Sequence, residues 1–463
     1  MNEKIWCRDD ELQEIEKFLA DEKMDEDLYI LSWTERDRFR ENYRELKGKK
    51  IWFWIRGTII HGTDELKDHI QKGIHNKQWQ FVKNVNDVLR EYDLIEQNSE
   101  LHCYPSEVQI ESTNICNARC IMCSHSYDKN HNGGVIGEAF LENMIEILPF
   151  LRMVYLHGNG EPFLNPALPK MIKAMAQYEI RFMTNTNLSI LTDEILECIQ
   201  KYFTEINISC DGAVKETFEE IRCNLNFEKF CANCRSLRES CPNLYMTMAA
   251  VSMRQNVEEL PQMVELAKEL GFQKIVFSQL CPDVKIGNQY DALEHYPNVA
   301  LYYYKEALER GKELGIEVVV PGTVEYQKFA PELFEKEKLQ LRSSRSFEKT
   351  GDVLERKETV TRKDESKVCG VCDWVIKRPY ININQFVNLC CISQMKNMGN
   401  LKEQSFAEIW NGERYQSIRK KFQGGELPWE CEGCEFLLQN ALEHLKTTEQ
   451  YMSQFEYRKE RKE

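Results

Sequence analysis

From about residue 105 to 283 the chain alternates short apolar runs with amphipathic stretches, the pattern of parallel strands joined by crossover helices. Six strands are predicted: Val108 to Ser112, Met153 to His157, Ile180 to Thr184, Glu205 to Ser209, Tyr245 to Val251, and Lys274 to Ser278. Residues 1–100 hold five of the eight tryptophans and read as an α+β accessory or recognition domain. Its helices are expected near Asp10 to Lys23, Thr34 to Leu46 and Trp79 to Tyr92, with a strand over Lys50 to Arg56. Residues 284–334 form a helical extension with a strand-like Ile316 to Val320. Residues 335–367, dominated by charge and Ser/Thr, read as a linker. A small domain over 368–437 carries six cysteines, and the charged stretch 438–463 reads as an exposed helix. One more stripe matters: Phe227, Phe230, Cys231, Cys234 and Leu237 line one helix face, so Cys231 and Cys234 are expected in the core.

Composition narrows the class. A hydrophobic fraction of 42% and an aromatic fraction of 11% describe globular material, and the longest apolar runs are far too short to span a bilayer. Met1 to Glu14 lacks the charged-then-apolar layout of a secretion signal, so a cytoplasmic protein without a membrane segment is expected. A formal charge of −15 argues against a nucleic-acid partner. In a reducing compartment, 18 cysteines point to metal or redox chemistry rather than disulfides.

The first predicted strand runs into Cys116-Asn-Ala-Arg-Cys120-Ile-Met-Cys123. This spacing can hold three irons of a four-iron cluster and leave the fourth bare; chance would produce it about 0.03 times in such a chain. The loop resembles that of the radical S-adenosylmethionine (SAM) superfamily, whose Cys-x3-Cys-x2-Cys binds a [4Fe-4S] cluster. The resemblance implies a partial (β/α)6 barrel with chemistry at the C-terminal strand ends. It also implies SAM on the open iron and cleavage to a 5′-deoxyadenosyl radical. A structural zinc with His125 as fourth ligand is the competing reading.

Further motifs follow the resemblance. Gly158-Asn159-Gly160-Glu161-Pro162 looks like the Gly-Gly-Glu-Pro loop, with Gly160 allowing close backbone approach and Glu161 pairing the SAM ammonium. Thr184-Asn185-Thr186 is similar to the Thr-Asn-Gly motif at the ribose, with Thr186 in place of glycine, and implies Asn185 as a hydroxyl partner. Ser209 and Arg222 resemble residues that hold ribose and carboxylate, and Met122 stands where an adenine contact is expected. Arg254, Gln279 and Cys281, at or after the fifth and sixth strand ends, are candidates for removing a proton from a substrate radical.

The second cysteine set reads Cys369-Gly-Val-Cys372, Cys390-Cys391 and Cys431-Glu-Gly-Cys434. Chance predicts about 0.7 Cys-x2-Cys pairs in this composition, against four present. The set resembles the SPASM and twitch domains that follow some radical SAM barrels, which implies one auxiliary [4Fe-4S] cluster on Cys372, Cys390, Cys431 and Cys434. Cys369 or Cys391 remains an alternative ligand, and a zinc ribbon an alternative metal site.

Together the resemblance implies a radical SAM oxidoreductase that passes an electron to its auxiliary cluster and receives one from a flavodoxin- or ferredoxin-type donor. The substrate expected is a small hydroxylated molecule, a sugar or cyclitol. The alternatives are a peptide-modifying maturase, with the N-terminal region as leader-binding module, and a non-catalytic zinc-binding interaction protein.

Overall fold

The computed structural model describes residues 4–19, 28–32, 46–55, 58–128, 133–281, 287–288, 291–321, 329–343, 372–391 and 397–431.

The N-terminal sheet has the order β1 (Ile5–Trp6), β2 (Leu28–Ser32), β3 (Lys50–Ile55), β4 (Thr58–His61). The first three are parallel and β4 folds back antiparallel on β3. Strict alternation sorts the side chains to two faces. Tyr29, Leu31, Phe53 and Ile55 join the main core beside Leu66, Ile70 and Val82 of the helices Gly62–His75 and Trp79–Glu96. Ile30, Trp52 and Trp54 pack on the other face with Ile15 of the helix Asp9–Phe18. The aromatic residues here are therefore core. β2, β4 and the helix Gly62–His75 were not predicted, and most of Thr34 to Leu46 lies outside the described residues.

All six predicted barrel strands form: β5 (Glu107–Ile110), β7 (Met153–Tyr155), β8 (Arg181–Met183) continuing as β9 (Asn185–Thr186), β10 (Glu205–Ser209), β12 (Tyr245–Ser252) and β13 (Lys274–Gln279). The short β6 (Arg119–Cys120) and β11 (Arg222–Cys223) pair with each other instead. The third strand changes neighbour at Thr184, pairing with β7 before it and β10 after it. Thr184 bridges the change, donating its hydroxyl to Leu156 O at 2.7 Å and accepting Asn207 N–H at 2.9 Å. Ile206, Ile208, Met246, Met248, Ile275 and Phe277 are buried toward the helices. The alternate positions, including Gln109, Tyr155, Asn207 and Thr247, face the lumen.

Both ends of this wall are extended. β14 (Glu317–Val319) adds in parallel to β13, and β15 (Tyr380–Ile381) adds in parallel to β5, followed by the antiparallel β16 (Phe386–Asn388) and β17 (Asn397–Asn400). The helix Pro331–Ser343 runs into the stretch expected to be linker. Its Glu337 explains why: the carboxylate accepts Asn298 N–H, Asn298 Nδ2–H and Val299 N–H at 2.7, 2.7 and 3.1 Å, so it caps the helix Pro297–Leu314. Cys231 and Cys234 are core residues of the helix Phe227–Ser240.

Candidate functional site

The site is built where β5 ends. Thr113 Oγ1 donates to Gly134 O and accepts Ile115 N–H, which turns the chain into the cysteine loop. The loop is then fastened in its middle: β6 pairs with β11, bringing Cys120 opposite Arg222. Arg222 Nη1 donates to Cys120 Sγ at 3.8 Å, and its Nη2 lies 2.7 Å from Asp211 Oδ2. Asp211 is in turn fixed by Val251 N–H at 2.6 Å. Burial disfavours the Arg222 charge, but Asp211 and the thiols around it outweigh that, and the guanidinium is held charged. Burial pushes the Cys120 thiol up to about 11, against the pull of Arg222, with Cys123 and Cys116 adding to the rise.

The glycine loop docks onto the base of the cysteine loop. Glu161 N–H donates to Ile115 O at 2.9 Å. A Cβ on Gly160 would lie 2.4 Å from Thr113 O, and one on Gly158 would lie 2.5 Å from Glu111 Cγ, so both positions demand glycine. Glu161 is buried; its Oε1 accepts from Thr186 Oγ1 at 2.6 Å and Phe163 N–H at 3.3 Å, and its Oε2 from Asn187 N–H at 2.7 Å. Burial raises its pKa, with those three hydrogen bonds and Arg222 opposing. Thr186, where the family pattern has glycine, thus has a use of its own. Asn117, Asn187 and Ser189 form a further bridge between the cysteine loop and the third strand's loop, with contacts of 2.6 to 3.1 Å. Asn185 is exposed at the strand end and accepts from Asn207 Nδ2 at 3.0 Å, while Met122 packs against the small buried cluster of Ile221, Met253, Leu280 and Ala292. Ser209 ends β10 on its lumen face.

The three predicted proton acceptors fare differently. Arg254 is committed to Asp291, with Nε and Nη2 at 3.0 and 2.9 Å from Oδ1, and a guanidinium does not deprotonate in proteins. The alternation of β13 puts Ser278, not Gln279, on the lumen face with Lys274 and Val276. Cys281 is exposed just beyond the strand. Sequence reasoning passed over Asp211, Glu111, Asp291 and His157. His157 lies two residues beyond β7 with its Nδ1 buried and, among the described residues, without a hydrogen-bond partner, and burial lowers its pKa to about 4.

Glu111 ties the two halves of the molecule together. Its Oε1 accepts Asn159 N–H at 3.0 Å and its Oε2 accepts Ile383 N–H at 2.9 Å. Beyond that link, Cys372, Cys390, Cys391 and Cys431 are each half-buried, and Cys372 and Cys431 pack on the main core. Cys369 and Cys434 lie outside the described residues.

Among the described residues, no three Cys, His, Asp or Glu side chains converge on one ion position, as a closed zinc site would require. Cys116, Cys120 and Cys123 nevertheless sit in each other's electrostatic field, with the Arg222 cation alongside and its buried Nε without an acceptor among the described residues. Soft thiolates spread over a loop, with a buried cation beside them, fit a multi-iron sulfide cluster.

A parallel barrel with such a loop at its C-terminal mouth defines a SAM-dependent iron-sulfur enzyme class. Residues 110–267 match the Radical SAM superfamily, and residues 368–435 match SPASM, an iron-sulfur cluster-binding domain. The chain carries a radical SAM domain followed by a C-terminal SPASM domain. Its cofactors are SAM, the [4Fe-4S] cluster that binds it and an auxiliary [4Fe-4S] cluster. The chain is 23% identical over 355 residues to the "Tungsten-containing aldehyde ferredoxin oxidoreductase cofactor-modifying protein" of Pyrococcus furiosus, covering 73% of this chain and 89% of that protein. It is 24% identical over 347 residues to the "AdoMet-dependent heme synthase" of Methanosarcina barkeri, covering 72% and 89%. In fold it is similar to Streptococcus suis SuiB bound to S-adenosylmethionine, with a TM-score of 0.50, 14% identity, and 77% and 79% of the two chains covered. Among the described residues, no helix is long and apolar enough to cross a membrane.

Proposed function

We propose that this radical SAM enzyme is an oxidoreductase that oxidises a small hydroxylated substrate, a sugar or cyclitol, and passes an electron to its auxiliary cluster. The pairing of β15 with β5 carries this reading, because it joins the cysteine-bearing domain to the strand that delivers the cysteine loop. An electron acceptor and the reacting lumen then share one wall. Cys116, Cys120 and Cys123 would hold the SAM cluster, and Cys372, Cys390, Cys431 and Cys434 the auxiliary one. When bound, the cluster and SAM supply a 5′-deoxyadenosyl radical that takes a hydrogen atom from the substrate.

The chain's own residues do the rest. Arg222 keeps a positive charge against the thiolates; Gly160 lets its loop close onto the base of the cysteine loop, and Glu161, which keeps lone pairs beyond those its present donors occupy, meets the ammonium. Asn185 and Ser209 offer polar contacts for the ribose, and Met122 a polarizable surface for the adenine. Cys281 takes the proton. Gln109, His157, Asn207, Thr247 and Ser278 give the lumen a polar face suited to hydroxyl groups. Relatives named for modifying a cofactor and for haem synthesis favour a small molecule. A flavodoxin- or ferredoxin-type protein is the proposed electron source.

One observation favours a peptide substrate instead: among the described residues β4 leaves an edge of the N-terminal sheet unpaired, a place for an added strand. Anaerobic incubation with SAM and dithionite tests initiation; 5′-deoxyadenosine forms, and Cys120→Ala abolishes it. Candidate polyols and short peptides are then compared for acceleration of SAM cleavage. Full 5′-deoxyadenosine production by Cys120→Ala would defeat the assignment.

A further inference from the structure

The SPASM domain buries three hydrogen-bond donors for which the described protein offers no oxygen or nitrogen acceptor: the Tyr415 hydroxyl and Nε and Nη2 of Arg419. Both residues have zero exposure. They lie one turn apart on the helix Glu413–Gln423, between Cys390 and Cys431 in the chain. Arg419 is not loosely placed. Its Nη1 donates to Trp410 O, Ser99 O and Asn411 Oδ1 at 2.8, 3.2 and 3.2 Å, and its guanidinium carbon stacks 4.4 Å from the Trp410 ring centre and 4.9 Å from that of Tyr415. Ring faces compensate a cation in part. They do nothing for the phenol O–H.

Buried donors without acceptors are rare and call for a partner that protein atoms do not supply. Burial raises the Tyr415 phenol's pKa, Arg419 opposes the rise, and among the described residues the Cys390 sulfur, in its ionised form, adds to it. A cluster held by Cys390 would bring inorganic sulfides and thiolates, acceptors with net negative charge, to that place, and hydrogen bonds to sulfur together with local charge set such a cluster's potential.

We propose that Tyr415 donates its hydroxyl to the auxiliary cluster, and that Arg419 positions the ring and supplies a buried positive charge, so that the pair raises the cluster's reduction potential and makes it a better electron acceptor. This rests on Cys390 being a ligand of that cluster. Arg419 is a positioning residue; Tyr415 touches the cluster, and neither touches substrate.

The test uses the full chain, reconstituted anaerobically, with Cys120→Ala removing the SAM cluster so that one signal remains. EPR-monitored redox titration is run with and without Tyr415→Phe. The expected result is unchanged iron content and a reduction equilibrium about tenfold less favourable in Tyr415→Phe, a shift of about 59 mV to the negative for a one-electron couple. Equal iron and an unmoved midpoint overturn the proposal. Should Tyr415→Phe lose its iron, Arg419→Lys, which keeps the charge but breaks the stacking, is titrated instead; a smaller negative shift is expected, and none with full iron overturns the proposal. If the Cys120→Ala protein binds about four irons and Cys390→Ala added to it leaves them in place, the ligand reading fails, and this proposal with it.

Discussion

Gly160 has no room for even one more carbon. Its missing Cβ would sit 2.4 Å from the Thr113 backbone carbonyl at the base of the cysteine loop, and backbone cannot rotate away as a side chain can. Gly160→Ala is expected to push the two loops apart and weaken SAM binding at least tenfold, about 1.4 kcal/mol, measured by equilibrium dialysis of reconstituted protein. His157 makes a pH prediction. Its folded pKa of about 4 lies below the ordinary 6.5, so between those values the unfolded chain carries a proton that the folded chain lacks. Stability therefore rises with pH across that window and is lost on acidification. His157→Phe is expected to remove about 1–2 kcal/mol of that dependence in denaturant titrations at pH 4.5 and 7, allowing for partial exposure. The cysteine, glycine and Thr-Asn loops were legible in the sequence because each is a local spacing on one turn of chain. Asp211, Arg222 and Cys120 meet only through the pairing of β6 with β11, and no local pattern announces a partner about a hundred residues away. Ser278 was within reach, since counting alternate positions along its strand selects it over Gln279.

At the scale of elements, β15 is held to the barrel by more than its ladder. Arg378, just before it, lies 2.6 Å from Glu107, donates to the Tyr155 hydroxyl at 2.7 Å and stacks 3.9 Å from that ring's centre. Burial alone would raise the Glu107 pKa, but Arg378 and Lys377 overcome this and hold it below the ordinary carboxylate range. Arg378→Ala leaves that carboxylate partly buried without its main partner. It is expected to cost about 2–4 kcal/mol in chemical denaturation. Because the Glu107 pKa is lowered, the pair's contribution is present above pH 4.5 and lost as pH falls through the folded value. The barrel strands were readable because apolar runs at βα spacing repeat. Nothing in the run Tyr380–Ile381, two residues long, marks it as a partner for β5 rather than for its own hairpin alone, and β2 went unseen among charged neighbours. The helix Pro331–Ser343 was hidden by its charge, which proved to be capping chemistry at Glu337.

Across the whole molecule the two cysteine sets belong to one continuous core, which holds Cys120 as well as neighbours of Cys372 and Cys431. Reconstituted wild type is expected to bind about eight irons per chain, and Cys120→Ala and Cys390→Ala about four each, by iron and sulfide analysis. Loss of all iron in either variant would mean that the two sites do not load independently.

The joining of β5 to residues emerging far later has a consequence for biosynthesis. Glu107 and Arg378 are 271 residues apart, so at ribosomal speed the barrel's first strand waits on the order of tens of seconds for its outer neighbour. During that wait one flank of the nascent sheet stands bare, a hazard for misassociation.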